Sequence, residues 1–144
     1  MTRRPTPISH RASQQSLLLT YIVNASLVLC HEIDSAFWQE WRLFHLPGGA
    51  AGFVAIHLVV APIILVGLVM VARGSAQSRW WSIPIGVAGA AGSIAHLTFL
   101  ARGDESFSTP FSVALIAAFG LSSVTLTIVA MRVRPPELEE KGHI

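Results

Sequence analysis

Four long apolar stretches, separated by short polar gaps, constrain this chain more than any other feature of its sequence. They cover about residues 16–38, 49–72, 80–101 and 110–131. A helix needs about 20 mostly apolar residues to cross a bilayer, and each stretch is long enough. Backbone polar groups in lipid must bond within their own segment, so spans of this length are helices rather than barrel strands. Because the gaps are short, neighbouring helices are expected to form antiparallel hairpins.

The composition supports the same class of protein. Of the 144 residues, 52% are apolar and only 12% are charged, whereas about a quarter of the residues in soluble domains are charged. We therefore predict one all-α domain over residues 1–144, an integral membrane four-helix bundle with polar tails at 1–15 and 133–144. The single cysteine, Cys30, excludes a disulfide within the chain. The basic residues are too dispersed to indicate nucleic-acid binding.

The distribution of Lys and Arg predicts the orientation of the bundle. Eight basic residues fall on the side of the two tails and the second loop: Arg3, Arg4, Arg11, Arg73, Arg79, Arg132, Arg134 and Lys141. The first and third loops contain only Arg42 and Arg102. By the positive-inside rule, both termini are expected in the cytoplasm.

Five histidine, aspartate and glutamate residues inside the spans provide the main indication of function. They are His31, Glu32, Asp34, His57 and His96. A charged side chain at the centre of a span costs roughly 2.5–3.5 kcal/mol, so such residues tend to face the bundle interior and to have partners. From the rise of a helix, the three histidines lie roughly 8–12 Å below the outer face, although they come from three different spans. The sequence therefore predicts a polar cluster in the outer half of the bundle.

Three imidazoles and a carboxylate at one depth match the ligands of Zn²⁺ or of non-haem iron. On this interpretation His31, Asp34, His57 and His96 bind a divalent metal, and Glu32 is a general base or a further ligand. The substrate would be lipophilic and would enter laterally or from the outer leaflet. The structural alternative is a hydrogen-bonded plug, in which His31 pairs with Asp34, and His57 with His96, to fix the helix register.

Several residues near this cluster are given structural interpretations. Aromatic residues recur at helical spacing past the end of the first span, as in an interfacial aromatic belt: Phe37, Trp38, Trp41 and Phe44. Glu40 and Arg42 are interpreted as solvated loop residues, and Cys30 as a buried and unreactive thiol. Thr109 followed by Pro110 predicts the start of the fourth helix, with Thr109 as its N-cap.

One stretch of the chain carries a resemblance to known sequences. It consists of His31-Glu32-Ile33-Asp34, the segment from Phe37 to Phe44, Leu46-Pro47-Gly48-Gly49, and Gly52-Phe53 with His57. It resembles an uncharacterised family of small four-span bacterial membrane proteins. The opening His-x-x-Asp is similar, more loosely, to membrane proteins with a His-x-x-Glu-Glu motif, although Ile33-Asp34 stands where that motif has two glutamates. The resemblance implies a four-span fold in a bacterial inner membrane and no established activity.

Three other functions remain open from the sequence. His57 and His96 could be the axial ligands of haem b in an electron-transfer protein. The histidines and acids could serve as a proton shuttle in a metal-free isomerase. The chain could also be a non-enzymatic accessory or assembly subunit, or a homo-oligomer, whose small residues contact other membrane helices. The residues that suit this last role are Gly86, Gly89, Gly92 and Gly120. Membrane lipids are expected partners in every case.

Overall fold

The computed structural model describes residues 7–133, with side chains from residue 11 onward. Five helices form the described part: α1 (Pro7–Phe37), α2 (Glu40–Leu43), α3 (Gly49–Ala72), α4 (Ser78–Ala101) and α5 (Pro110–Arg132). The four longer ones are long and apolar enough to cross a membrane. This confirms the predicted all-α fold with four candidate spans, and residues 7–133 contain no strand.

The four long helices form a ring in which each contacts its two neighbours in an antiparallel direction. Helix α5 packs extensively against α4 and against α1, which places the first and last helices side by side. Helix α3 completes the ring with fewer contacts to α1 and α4, and it has none with α5 in the described part of the chain. The bundle therefore has a well-packed side made of α1, α5 and α4, and a looser side made of α3.

Helix boundaries agree with the sequence prediction at most ends and differ at the first. Helix α1 begins at Pro7, within the stretch expected to be a polar tail. Residues 8–15 contain no glycine or proline to interrupt a helix, and proline itself is tolerated in the first turn. The N-cap of α5 is confirmed, because the side chain of Thr109 accepts a hydrogen bond from the backbone N–H of Ser112. The predicted tail from residue 134 onward lies outside the described residues.

Helices α4 and α5 approach closely because small residues of α4 meet the backbone of α5. A methyl group added at Gly86 would come within 2.7 Å of the carbonyl oxygen of Ser123. Ser93, two turns further along α4, donates a hydrogen bond of 2.9 Å to the carbonyl of Ile116. Small residues at a helix interface allow such close approach in membranes. His96 follows Ser93 by one turn of α4, at the end of this interface.

Two polar side chains of α1 cross-link the bundle below the predicted site. Tyr21 is fully buried, and its hydroxyl donates a hydrogen bond of 2.8 Å to the carbonyl of Ile64 on α3. Asn24 is also fully buried, and its amide donates to the hydroxyls of Ser122 and Ser123 on α5, at 3.0 and 2.8 Å. These bonds fix the register of α1 against both of its neighbours.

Replacing Asn24 with alanine is expected to destabilise the bundle without affecting the site directly. The variant loses two hydrogen bonds between spans, which corresponds to roughly 1–3 kcal/mol of unfolding free energy. The measurement is detergent-based unfolding followed by circular dichroism. Ser26→Ala is the matched control, because the exposed Ser26 hydroxyl donates only to the Ile22 carbonyl of its own helix. Equal stability of the two variants would contradict the proposed cross-link.

Candidate metal site

Two buried histidines from different helices form the centre of the candidate site. His31 on α1 and His96 on α4 are only 3% and 2% exposed. Their rings contact each other edge to face, with centroids 4.7 Å apart. Phe119 of α5 stacks on His31 at 5.1 Å, and Phe107 from the α4–α5 loop packs on both imidazoles. The two imidazoles are therefore held in fixed orientations by an aromatic shell.

The hydrogen bond of His96 determines which of its ring nitrogens is free. Nδ1 of His96 lies 2.9 Å from the carbonyl oxygen of Gly92. Because a carbonyl only accepts hydrogen bonds, Nδ1 carries the proton and Nε2 presents a lone pair. Nε2 is buried without a hydrogen-bond partner among the described residues, and so is Nδ1 of His31. Metal-binding histidines are commonly oriented by this type of hydrogen bond from the other ring nitrogen.

Glu40 supplies the carboxylate that faces His96. Helix α1 ends at Phe37, and Gln39 adopts a left-handed conformation with φ of 56°, which turns the chain back over the bundle into α2. An oxygen of Glu40 then lies 3.6 Å from Nε2 of His96. The interpretation of Glu40 as a solvated loop residue is therefore wrong, because the reversal at Gln39 directs its side chain inward.

The aromatic residues around this reversal pack on the site. Phe44 contacts the ring of His96 with centroids 5.5 Å apart, Trp41 packs on Phe53 at 5.6 Å, and Trp38 packs on Phe107 at 6.1 Å. These three rings are half-buried against the bundle, and their position at a membrane interface stays a prediction. Phe37 does project outward and is exposed, as expected of a belt residue.

His31, Glu40 and His96 together have the geometry of a candidate metal site. One ligand atom from each residue lies within 4.8 Å of the others. Two ligands of one tetrahedral Zn²⁺ are about 3.4 Å apart. The 3.6 Å between His96 and Glu40 is close to that spacing and too long for a hydrogen bond.

Glu32 and His57 form a pair beside these three residues. Nδ1 of His57 bonds to the carbonyl oxygen of Phe53 at 2.7 Å, so Nε2 is directed at Glu32. Nε2 and a carboxylate oxygen of Glu32 are 2.5 Å apart. A contact between two acceptors requires one shared proton, so this pair holds a proton between them. Glu32 is also close enough to interact electrostatically with Glu40 and His96.

The structure places Asp34 in a separate network. One of its oxygens accepts a hydrogen bond of 3.0 Å from the hydroxyl of Ser112, and the other is buried without a hydrogen-bond partner among the described residues. The same hydroxyl accepts from the indole N–H of Trp38 at 3.0 Å and lies 2.8 Å from the Thr109 hydroxyl. Asp34 therefore holds the end of α1 against the start of α5. The alternative pairing of His31 with Asp34 and of His57 with His96 is not adopted in the described structure.

The predictions from the sequence were wrong about Cys30, which neighbours the cluster, and did not include Glu40 in it. Cys30 is exposed, so the expectation of a buried thiol is wrong. It precedes His31 by one residue, a rotation of about 100°, and therefore lies on another face of α1. Glu40 was missed because it follows the end of the span. The available signal was its position between Trp38 and Trp41, at a spacing that suits a segment folded onto the bundle.

Comparisons with known proteins give a family and no activity. A family described as a family of unknown function (DUF6713) matches residues 17–133, which include the candidate site and the described parts of all four long helices from Leu17 onward. This confirms the expectation of an uncharacterised family. The match extends well beyond the stretch from His31 to His57 that carried the resemblance. No curated protein and no solved structure matches the chain.

Proposed function

This chain belongs to the DUF6713 family, whose function is unknown, and we propose from its own site that it is a membrane metalloprotein. The proposed ligands are His31, Glu40 and His96, and the metal is Zn²⁺ or non-haem iron. Two imidazoles and a carboxylate are a common ligand set for both ions and leave further coordination positions open. A divalent ion bound there would act as a Lewis acid toward a polar group of a substrate.

The single observation that carries this proposal is the environment of His96. Its Nε2 is buried, has no hydrogen-bond partner in the described part of the chain, and faces Glu40 at 3.6 Å. A buried polar atom without a partner costs about 1–3 kcal/mol. Binding of an ion between His96, Glu40 and His31 would remove that cost and would also balance the carboxylate charge.

The Glu32–His57 pair suggests how the site would act on a substrate. We assign Glu32 the role of proton acceptor, with His57 holding the carboxylate in position. The side chains of His57 and Glu32 are 28% and 29% exposed, on the loosely packed side of the bundle between α1 and α3. In a bilayer that side would face lipid, which favours a lipophilic substrate entering laterally. Asp34 is assigned a positioning role, because Ser112 occupies one of its oxygens.

The contacts of the described residues argue against the haem protein and the accessory subunit, and they leave the metal-free isomerase as an alternative. A haem ligated by His57 and His96 would require His57 to leave Glu32 and His96 to leave its aromatic shell. The small-residue argument for an accessory subunit loses its basis at Gly86, Gly89 and Gly120, which are used between α4 and α5 of the same chain. The metal-free isomerase remains the second candidate, because Glu32 and His57 already share a proton.

Elemental analysis of the detergent-purified protein tests the proposal. After removal of metal by a chelator and dialysis against Zn²⁺ or Fe²⁺, we expect about one ion per chain, held by the three ligands of a mononuclear site. His31→Ala should bind no ion above the level of a blank. His45→Ala is the control, because His45 lies in the exposed loop before α3 and is expected to retain the metal.

Two outcomes would contradict the proposal. The first is wild-type protein that is folded by circular dichroism and binds neither ion, which would leave the metal-free isomerase as the better hypothesis. The second is equal metal content in the His31 and His45 variants, which would show adventitious binding. A Soret band in the absorption spectrum would instead support the haem alternative.

A further inference from the structure

The end of the bundle opposite the candidate site carries only positive charge among the described residues. The start of α1, the end of α3, the start of α4 and the end of α5 meet there because the helices alternate in direction. The charged side chains described at this end are Arg11, Arg73, Arg79 and Arg132. The acidic residues described in the chain belong to the site end: Glu32, Asp34, Glu40, Asp104 and Glu105. The electrostatic surface of this end therefore favours an anionic partner.

A groove opens at this positive end between α3 and α4. Its volume is 440 Å³, within the range of about 300–1,000 Å³ typical of ligand sites. Its lining is apolar apart from one amide: Ile63, Gln77, Trp80, Trp81, Pro84 and Ile85. Ile85 and Ile63 lie seven and nine residues from the helix ends, so the groove extends roughly 10–14 Å into the span. These dimensions suit part of a lipid acyl chain.

Arg79 lies beside the groove along α4, between the lining residues Gln77 and Trp80. Its Nε is buried and has no hydrogen-bond partner among residues 11–133. Its guanidinium carbon lies 5.8 Å from the centre of the Trp80 ring. A guanidinium presents several donors in a planar arrangement that matches a phosphate. Tryptophan favours the headgroup level of a bilayer.

We propose that this groove binds an anionic phospholipid, with one acyl chain between α3 and α4 and the phosphate on Arg79. The partner is a lipid of the surrounding membrane, because the groove opens on the apolar surface of the spans. Anionic lipids are attracted by basic residues on the cytoplasmic side of membranes, which is the side that the positive-inside rule assigns to this end. The proposal is independent of the metal site.

Native mass spectrometry of the full chain tests this lipid site. The protein is released from nanodiscs that contain equal amounts of phosphatidylglycerol and phosphatidylcholine with the same acyl chains. We expect the retained lipid to be mainly phosphatidylglycerol. Arg79→Gln should reduce that preference about fivefold, as expected for one arginine near an anionic headgroup. Arg102→Gln at the opposite end is the matched control and should leave the preference unchanged.

A second variant tests the groove itself. Ile63→Trp fills the groove from α3, and we expect it to reduce retention of both lipids while the circular dichroism spectrum is unchanged. Equal retention of the two lipids by the wild type, or equal effects of the Arg79 and Arg102 variants, would overturn the proposal. So would a lipid-free dimer, or lipid that binds only after deletion of residues 135–144, a segment that contains three glutamates.

Discussion

His96→Ala is expected to lower the affinity of the purified protein for Zn²⁺ by about 100-fold or more. The reason is that His96 is the best oriented ligand, with Nδ1 bonded to Gly92 and Nε2 facing Glu40. Titration of the metal-free protein with Co²⁺, followed by its visible absorption, measures the loss directly. The spectrum also indicates the coordination geometry, since the ligand field changes when a histidine is removed.

Two carboxylate variants distinguish the ligand set proposed from the structure, which includes Glu40, from the set predicted from the sequence, which includes Asp34. Glu40→Gln should weaken binding nearly as much as His96→Ala, because it removes the only carboxylate of the proposed ligand set. Asp34→Asn should leave the affinity within about twofold, since its partner is the hydroxyl of Ser112. Loss of metal in the Asp34 variant with retention in the Glu40 variant would show that the assigned ligands are wrong.

Gly86→Ala is expected to destabilise the bundle strongly, because it separates α4 from α5. The added methyl group would lie 2.7 Å from the carbonyl oxygen of Ser123 and 3.1 Å from the backbone nitrogen of Thr127. Backbone atoms cannot rotate away, so α4 and α5 must separate, at a cost of about 2–3 kcal/mol in unfolding free energy. Unfolding in detergent at increasing temperature or denaturant concentration measures this change.

Gly92→Ala provides the control on the same helix. No atom lies within 4 Å of the added methyl group at Gly92. Removing a glycine from the interior of a helix stabilises it by roughly 0.5–1 kcal/mol. We therefore expect this variant to be as stable as the wild type or slightly more stable. Similar losses of stability in both variants would mean that glycine flexibility, and not close packing at Gly86, determines the effect.

The fold could be predicted from the sequence because its main determinants are local. The length of each apolar stretch specifies a spanning helix, and Thr109-Pro110 specifies where the last one begins. The burial of His31 and His96 also follows a local rule, since titratable groups in a span face inward. Each of these predictions depends on residues within one helix.

The membership of the site could not be predicted to the same extent, because it depends on contacts between distant segments. The spacing of Trp38 and Trp41 indicates a segment folded onto the bundle, but it does not indicate the left-handed conformation of Gln39 that brings Glu40 over His96. Similarly, the depth estimate placed His57 with the other histidines, but rotation about α3 directs it toward Glu32. Assigning a ligand requires both the depth of a residue in its span and its direction about the helix axis. That direction is determined by how the helices pack, which the sequence of one helix does not specify.

The side-by-side position of the first and last long helices has a consequence for biosynthesis. When α1 and α3 emerge from the ribosome, the partners of Asn24 and Asp34 have not yet been synthesised, because Ser112, Ser122 and Ser123 all belong to α5. These two polar side chains of α1 therefore have no partners from α5 until that helix has been made. Completion of α5 closes the ring, so α1 can reach its final contacts only after this helix has been synthesised.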